Sequence, residues 1–240
     1  MIKYLNLIFF AGMIVMNYLA NALPLNNKTT GELSDSFPNL FVPAGITFSI
    51  WGVIYLLLLI YSVIQFTSSD RNTIDNISWL FAFTCIFNAL WIVAWHYGKL
   101  PMSLIIMSGL LISLIYINMF ISHLPMGLIK AAFGVYLGWI CIATIANATA
   151  LLVNYGWNGF GISHEAWTII MISAGAVIAV MALYRLNNPY IGLVVIWAFT
   201  GIILKRMDDF KSIVIAASVA ISVVAVVTVL VFFRKISGTA

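Results

Sequence analysis

The sequence predicts an all-α protein that crosses a membrane several times. Of its 240 residues, 63% are hydrophobic and only 8% are charged, and the mean hydropathy is +1.09. A soluble core of this length cannot bury so much apolar surface. The apolar residues form runs of about 20 residues, long enough for a helix to cross a roughly 30 Å hydrocarbon layer. Helices satisfy their own backbone hydrogen bonds in lipid, so each run is predicted to be a transmembrane helix.

The number of helices depends on one short run. Seven runs are predicted to span the membrane: residues 5–22, 43–66, 77–97, 102–121, 128–153, 166–186 and 213–233. Residues 190–204 form a further apolar run of only about 15 residues, which is marginal for spanning. Hydropathy favours eight helices, whereas the distribution of Lys and Arg slightly favours seven. We predict eight, with both termini on the inner side, and keep seven as the alternative.

Two segments near the start have two interpretations each. Residues 5–22 could be a signal peptide, since Ala20, Asn21 and Ala22 resemble a cleavage site, but the run is long and further spans follow. We therefore predict a first spanning helix. Residues 24–42 form the longest polar connection, with three charged side chains. This connection is either a lid over a cavity or a plain connector.

Several classes of function are excluded or left without support. The net charge of +4 is spread over segment ends, so no clustered basic face for nucleic acid exists. Cys85 and Cys141 lie inside apolar runs and are predicted to be buried free thiols, without zinc spacing. No acidic residue occurs between Asp75 and Glu165, so the first helices lack an embedded carboxylate for proton-coupled transport. No catalytic set can be assembled, and we predict no cofactor and expect no enzyme.

Aromatic and amide side chains recur on one side of three of the predicted helices. In the second helix these are Phe48, Trp51 and Tyr55; in the third, Thr84, Asn88, Trp91 and Trp95; in the fifth, Tyr136, Trp139, Ala143 and Asn147. Residues three and four apart share one side of a helix. An amide near mid-membrane needs partners that lipid cannot provide, so both asparagines should face protein or a cavity. The alternative is structural, with the amides as interhelical bonds and the rings as packing.

Three further features have structural interpretations. His96 has no second ligand at metal spacing and is predicted to lie at the membrane interface. Lys130 begins the fifth helix, where its side chain can extend to the interface. Gly134 and Gly138 form a G-x-x-x-G pattern, which allows another helix to approach closely.

The three one-sided sets resemble the signature regions of the translocator protein / tryptophan-rich sensory protein (TspO) family. The family pattern is W-x-x-x-Y in the second helix, L-N-x-x-W in the third, and Y-L-x-W followed eight residues later by Asn in the fifth. The matching positions here are Trp51 and Tyr55, Asn88 and Trp91, and Tyr136, Trp139 and Asn147. Phe87 replaces the Leu before the third-helix Asn. The resemblance covers about residues 1–155.

This resemblance implies a five-helix unit over residues 1–155 that encloses a cavity beneath the long first loop. Residues 156–240 would be additional transmembrane helices packed on its outside. In the family the cavity takes porphyrins, and in animal relatives cholesterol and synthetic aromatic ligands. The sequence departs from the family in two places, which limits what the resemblance implies. No basic residue follows Asn147 in a cholesterol-recognition pattern, although such motifs are weak. The prolines that often open the second helix are also fewer.

The sequence therefore predicts a membrane sensor or receptor for a tetrapyrrole or a similar flat lipophilic ligand. The alternative is a transporter for a small neutral or lipophilic metabolite, and an enzyme that degrades porphyrin is a further class. The expected partners are such a ligand and membrane lipid, with a homodimer left open and no nucleic acid. The predicted location is a membrane whose type is open. The predicted ligand-binding residues are Phe48, Trp51, Tyr55, Asn88, Trp91, Trp95, Tyr136, Trp139 and Asn147.

Overall fold

The computed structural model describes residues 2–22 and 25–237, with side chains described up to residue 234. The α-helices are α1 (Ile2–Asn21), α2 (Thr30–Asp35), α3 (Ile50–Thr67), α4 (Arg71–His96), α5 (Leu100–Phe120), α6 (Leu128–Asn154), α7 (His164–Leu186), α8 (Tyr190–Arg206) and α9 (Lys211–Ser237). Three 3-10 turns, Leu25–Asn27, Gly45–Ser49 and Gly159–Gly161, lie in the connections. No β-strand occurs in these described ranges, so the predicted all-α class is confirmed.

Seven helices in the described part of the chain are long and apolar enough to cross a membrane. They are α1, α3 with its 3-10 lead, α4, α5, α6, α7 and α9. The chain is thus an integral, multi-pass membrane protein. The first predicted spanning helix is present as α1 and packs against α3 and α4 at the side of the bundle.

The eighth long helix, α8, reaches both ends of the bundle although it has only 17 residues. Just before its start, Asn188 Nδ2 donates to the carbonyl of Lys130 at the beginning of α6 (2.9 Å). At its end, Arg206 Nε donates to the carbonyl of Leu40 in the long first connection (3.1 Å). A helix of this length spans ~26 Å, close to the thickness of the hydrocarbon layer. These contacts favour eight crossings over the seven-helix alternative.

The two ends of the bundle differ in the connections that they carry. The loop face is the end that carries residues 25–49, 97–99, 155–163 and 207–210, and the terminal face is the end where α1 begins. At the terminal face Lys3 pairs with Asp75 (3.7 Å), and Asn6 Nδ2 donates to Gln65 Oε1 (3.1 Å). Inward from there, the rings of Tyr61, Phe81 and Phe133 fill the interior, with centroids 4.7–6.0 Å apart. The bundle is therefore closed by apolar packing on this side.

Helix α4 begins six residues earlier than its apolar run predicts. Asp70 accepts a hydrogen bond from the backbone N–H of Thr73 (3.1 Å) and caps the helix. Aspartate is among the preferred N-cap residues. The first turns of α4 are polar and were therefore predicted as part of a connection.

The G-x-x-x-G pattern of α6 receives α8. A Cβ atom added to Gly138 would lie 2.7 Å from the carbonyl oxygen of Ile191, and one added to Gly134 would lie 2.5 Å from Asn188 Nδ2. The absence of side chains thus lets α6 and α8 approach closely, as the pattern predicts. α7 and α9 complete the C-terminal part, and one apolar core runs through all of the long helices. The division at residue 155 stays a prediction.

Lys130 does not extend to the interface. Its side chain is buried, and the ammonium donates to the carbonyls of Ser122 (2.9 Å) and Asn187 (2.7 Å). Ser122 follows α5 and Asn187 is the left-handed C-cap of α7. Backbone carbonyls at helix ends lack intrahelical partners, so the charge is used to bind two helix ends together.

Candidate functional site

A chain of hydrogen bonds crosses the bundle at mid-height. The Tyr55 hydroxyl donates to Asn17 Oδ1 (2.5 Å), and Asn17 Nδ2 donates to Asn88 Oδ1 (2.7 Å). Asn88 Nδ2 in turn donates to the hydroxyl of Tyr136 (3.0 Å). The four side chains come from α3, α1, α4 and α6. Each buried polar group finds a protein partner, which is the rule in apolar surroundings.

Three of the predicted site residues therefore belong to this chain of hydrogen bonds rather than to the wall of a cavity. They are Tyr55, Asn88 and Tyr136, and the structural interpretation of their side chains applies to them. Asn17, which links Tyr55 to Asn88, was missed by the sequence analysis. Its signal was an amide inside an otherwise apolar run of the first helix.

A cluster of indole rings lies directly on the loop-face side of the hydrogen-bond chain. Trp51 is at its centre, with ring centroids 6.4 Å from Trp91, 6.2 Å from Trp139 and 6.0 Å from Tyr136. Trp95 continues the stack on Trp91, at 5.8 Å and nearly parallel. Phe48 meets the face of Trp139 edge-on, at 5.8 Å. Offset and edge-to-face contacts of this kind stabilise ring clusters.

These rings border a small cavity of about 50 Å³. Its wall contains six of the nine predicted ligand-binding residues together with residues of the first loop and of α6: Thr30, Ser34, Pro43, Phe48, Trp51, Trp91, Trp95, Trp139, Ile142, Ala143, Ala146 and Asn147. We call this space the Trp cavity. It lies beneath residues 30–43, where the family resemblance places a cavity.

Four buried N–H donors on residues that line the Trp cavity have no hydrogen-bond partner. They are the indole nitrogens of Trp91, Trp95 and Trp139 and the amide nitrogen of Asn147. The oxygen of the same amide accepts from the Ser103 hydroxyl (3.1 Å), which leaves only the donor side unused. Buried donors without partners are rare in native structures and call for an explanation.

The first loop covers the Trp cavity, so the lid interpretation agrees with the structure better than a plain connector. Helix α2 carries Thr30 and Ser34 into the cavity wall. We call residues 30–44 the lid. A capping box begins α2: the Thr29 backbone N–H donates to Glu32 Oε2 (2.8 Å), and the Glu32 N–H donates to Thr29 Oγ1 (3.2 Å). The bonds that the backbone N–H and the hydroxyl of Thr29 donate to the Glu32 carboxylate hold the pKa of Glu32 below its ordinary value.

His96 fastens the beginning of the lid to the end of α4. Its Nε2 lies 3.1 Å from Thr30 Oγ1 and its Nδ1 lies 3.0 Å from the carbonyl of Leu25. The side-chain amide of Asn26 also donates to the His96 carbonyl (3.2 Å). The histidine is buried and is held by the lid at the end of α4. Its predicted level at the membrane interface stays a prediction. Its partners come from the loop, which no helical spacing could reveal.

In the described part of the chain, no group of three or more His, Cys, Asp or Glu side chains is placed to bind a metal ion. Cys85 and Cys141 are free and buried, as predicted. The arrangement offers ring faces and N–H donors instead. It is suited to binding rather than to proton transfer or nucleophilic attack.

Comparisons with known proteins agree with the resemblance in the sequence. A model of the TSPO-like protein family matches residues 3–231, so the match continues through the C-terminal helices and does not end near residue 155. No curated protein and no solved structure matches the chain. Because the family match covers nearly the whole length, the chain belongs to the TSPO-like protein family.

Proposed function

We propose that this protein is a membrane receptor that binds a flat, apolar ligand with several hydrogen-bond acceptors, of the tetrapyrrole class, in the Trp cavity. The observation that carries the proposal is the set of four unpartnered donors on Trp91, Trp95, Trp139 and Asn147. A buried donor without a partner costs about 1–3 kcal/mol. A ligand that supplies acceptors removes that cost when it binds.

The chemistry of the wall defines the ligand class. Indole faces favour a planar aromatic body, and the donors favour carboxylate, carbonyl or ring-nitrogen acceptors. A carboxylated porphyrin or an open-chain tetrapyrrole has both features. A sterol offers a single hydroxyl and no aromatic plane, so it matches the wall less well.

The Trp cavity is smaller than the proposed ligand requires. Ligand pockets usually measure about 300–1,000 Å³, several times the 50 Å³ found here. A second cavity of about 130 Å³, lined in part by Thr30, Gly31 and Trp51, lies on the other side of the same lid residues. Because Thr30 and Trp51 border both spaces, outward movement of α2 joins them. Ligand binding is therefore expected to require displacement of the lid.

Transport of a small neutral metabolite is the second candidate. The observation in its favour is the small size of the Trp cavity, which holds only a small molecule and is lined without a charged group. A receptor binds its ligand without net translocation, whereas a transporter moves it. Flux of porphyrin and of small neutral solutes into liposomes containing the purified protein distinguishes the two.

The test of the proposal is a titration with three matched porphyrins. Protoporphyrin IX carries two carboxylates, its dimethyl ester keeps carbonyl acceptors without charge, and octaethylporphyrin has no acceptor outside the ring. Porphyrin absorbance and quenching of protein fluorescence report binding. We expect affinity to fall along this series, because the first step removes the charge from the acceptors and the second removes the acceptors outside the ring.

Variants of the wall complete the test. Trp139→Phe keeps an aromatic ring and removes one donor, and Asn147→Leu removes another; each is expected to weaken binding of protoporphyrin IX about tenfold, the effect of one hydrogen bond. Trp79→Phe is the matched control, because Trp79 is 54% exposed on the outside of α4. Equal affinity for the three porphyrins, or unchanged affinity in folded Trp139 and Asn147 variants, contradicts the proposal.

A further inference from the structure

The lid is fastened to the C-terminal helix α8 along one side. Five hydrogen bonds join its chain to α8: Arg206 makes two of them, and Lys205 makes another two, one of which goes to the carbonyl of Pro43 (3.4 Å). The guanidinium donates from Nε to the carbonyl of Leu40 (3.1 Å) and from Nη2 to the carbonyl of Asn39 (2.9 Å). Lys205 pairs with Asp35 (2.5 Å). The Ala44 N–H donates to the carbonyl of Gly201 (2.9 Å).

The attachment continues from the lid to the start of α3. The indole N–H of Trp197 donates to the carbonyl of Thr47 (2.9 Å), and Gly201 is so close to Thr47 that a Cβ atom there would collide with its side chain. Hydrogen bonds to a charged donor are stronger than those between neutral groups. Arg206 is the main fastening, because its two bonds to lid carbonyls measure 3.1 and 2.9 Å. Lys205 reaches the carbonyl of Pro43 only at 3.4 Å, and its pair with Asp35 is partly exposed and screened by solvent.

The fastened segment is a wall between two spaces. On its outer side lies an open groove of about 770 Å³, lined by the lid, by the 156–165 connection and by the end of α8. On its inner side lies the Trp cavity. Ser34 borders both. The groove is large enough for a drug-sized molecule, and displacement of the segment would connect it with the Trp cavity.

We propose that Arg206 is a positioning residue of the lid, with Lys205 as a weaker support. By holding residues 35–44 across the cavity, α8 sets how often the Trp cavity opens toward the groove. The C-terminal helices thereby control access to a site built entirely from the first five long helices and the lid. The passage of ligand rests on the proposed function, whereas the opening itself can be measured without any ligand.

The experiment measures the opening by thiol labelling. Ala146 lines the Trp cavity on α6, so Ala146→Cys reports access of a small polar thiol reagent in otherwise unchanged full-length protein. Adding Arg206→Gln is expected to speed labelling about tenfold, because two bonds from a charged donor are lost. Lys205→Gln is expected to change the rate less than about threefold. Lys99→Gln, an exposed lysine on the same face, is the control and should change nothing.

Two further variants separate positioning from general stability. Arg206→Lys keeps the charge but not the two-pronged geometry, so its labelling rate should lie between those of wild type and Arg206→Gln. Reversing the pair with Asp35→Lys and Lys205→Asp together should restore the rate that Asp35→Lys alone increases. Native Cys85, buried in α4, reports global loosening and should stay unlabelled throughout.

Two results would overturn the positioning role of Arg206. An unchanged Ala146→Cys labelling rate in folded Arg206→Gln protein overturns it, and so does equal acceleration at Cys85. Binding kinetics of protoporphyrin IX give a separate readout, in which Arg206→Gln should raise the association and dissociation rates together. If the wild-type protein binds no porphyrin, the proposed function fails, while the labelling rates still decide the role of Arg206.

Discussion

Asn17 of α1 and Asn88 of α4 join their side-chain amides at the centre of the bundle, 2.7 Å apart. Because Asn17 also accepts the hydroxyl of Tyr55 and Asn88 donates to that of Tyr136, this bond connects four helices. It separates the apolar interior on the terminal side from the Trp cavity on the loop side. The floor of the candidate site is therefore a structural network.

Replacing Asn17 should destabilise the fold without touching the cavity wall. Asn17→Leu leaves the Tyr55 hydroxyl and Asn88 Oδ1 without partners, and we expect a loss of about 1–3 kcal/mol in the free energy of unfolding. Reversible unfolding in detergent mixtures measures it. Asn21→Leu, one turn further and exposed, is the control and should stay within about 0.5 kcal/mol. In a double-mutant cycle Asn17→Leu and Asn88→Leu should be less than additive.

The contact between α6 and α8 should be intolerant of a single methyl group. Gly138→Ala places a carbon 2.7 Å from the carbonyl of Ile191, and the backbone can relieve this overlap only by moving the helices apart. Overpacking of this kind costs about 1–3 kcal/mol. Gly52→Ala on α3 has open space around it and should be neutral or slightly stabilising, since alanine favours helix. If Gly138→Ala does not lower the stability, α6 and α8 pack less closely than this distance indicates.

Lys130 should matter for stability although it is a cation at the end of a span. Lys130→Met keeps a similar length and removes the donors to Ser122 and Asn187. We expect a loss of about 1–3 kcal/mol, because the carbonyls at two helix ends lose a charged partner. Lys99→Met, at an exposed position, should have little effect. Thermal unfolding of the two variants side by side distinguishes a lysine that holds two helix ends from one that only extends to the membrane interface.

The lid helix should loosen in acid. The pKa of Glu32 is lowered in the folded lid, chiefly by the hydrogen bond from the Thr29 backbone N–H. A lowered pKa means that the carboxylate stabilises α2 above the unfolded value of 4.5 and that this contribution is lost as the pH falls through the folded value. Amide exchange of residues 30–35, corrected for its intrinsic pH dependence, should show this loss.

Glu32→Gln gives the matched control for that measurement. Glutamine can keep a neutral capping box, so the acid-dependent part of the exchange should disappear while part of the protection remains. Thr29→Ala removes the other half of the box and should loosen α2 at every pH. An acid response that persists in Glu32→Gln would assign it to another group.

The sequence alone determined the class of this protein, seven of its spans and the helical side on which its signature residues lie. Long apolar runs have one solution in lipid, because each helix satisfies its own backbone. The period of 3.6 residues then places Trp51, Trp91, Trp139 and Asn147 on the inward sides without any knowledge of their neighbours. The G-x-x-x-G pattern of α6 predicts a close contact with another helix, because residues four apart share one side of a helix.

Only the tertiary structure decided which inward residues are bonded to each other and which face the Trp cavity. Asn88 and Asn147 look alike in sequence, but Asn88 meets Asn17 and Tyr136, whereas the amide nitrogen of Asn147 has no partner. His96 and Lys130 were expected at interfaces, and their side chains hold a loop and two helix ends. Such partners lie dozens of residues away along the chain, and helical periodicity fixes directions around one helix but not what another helix brings to meet them.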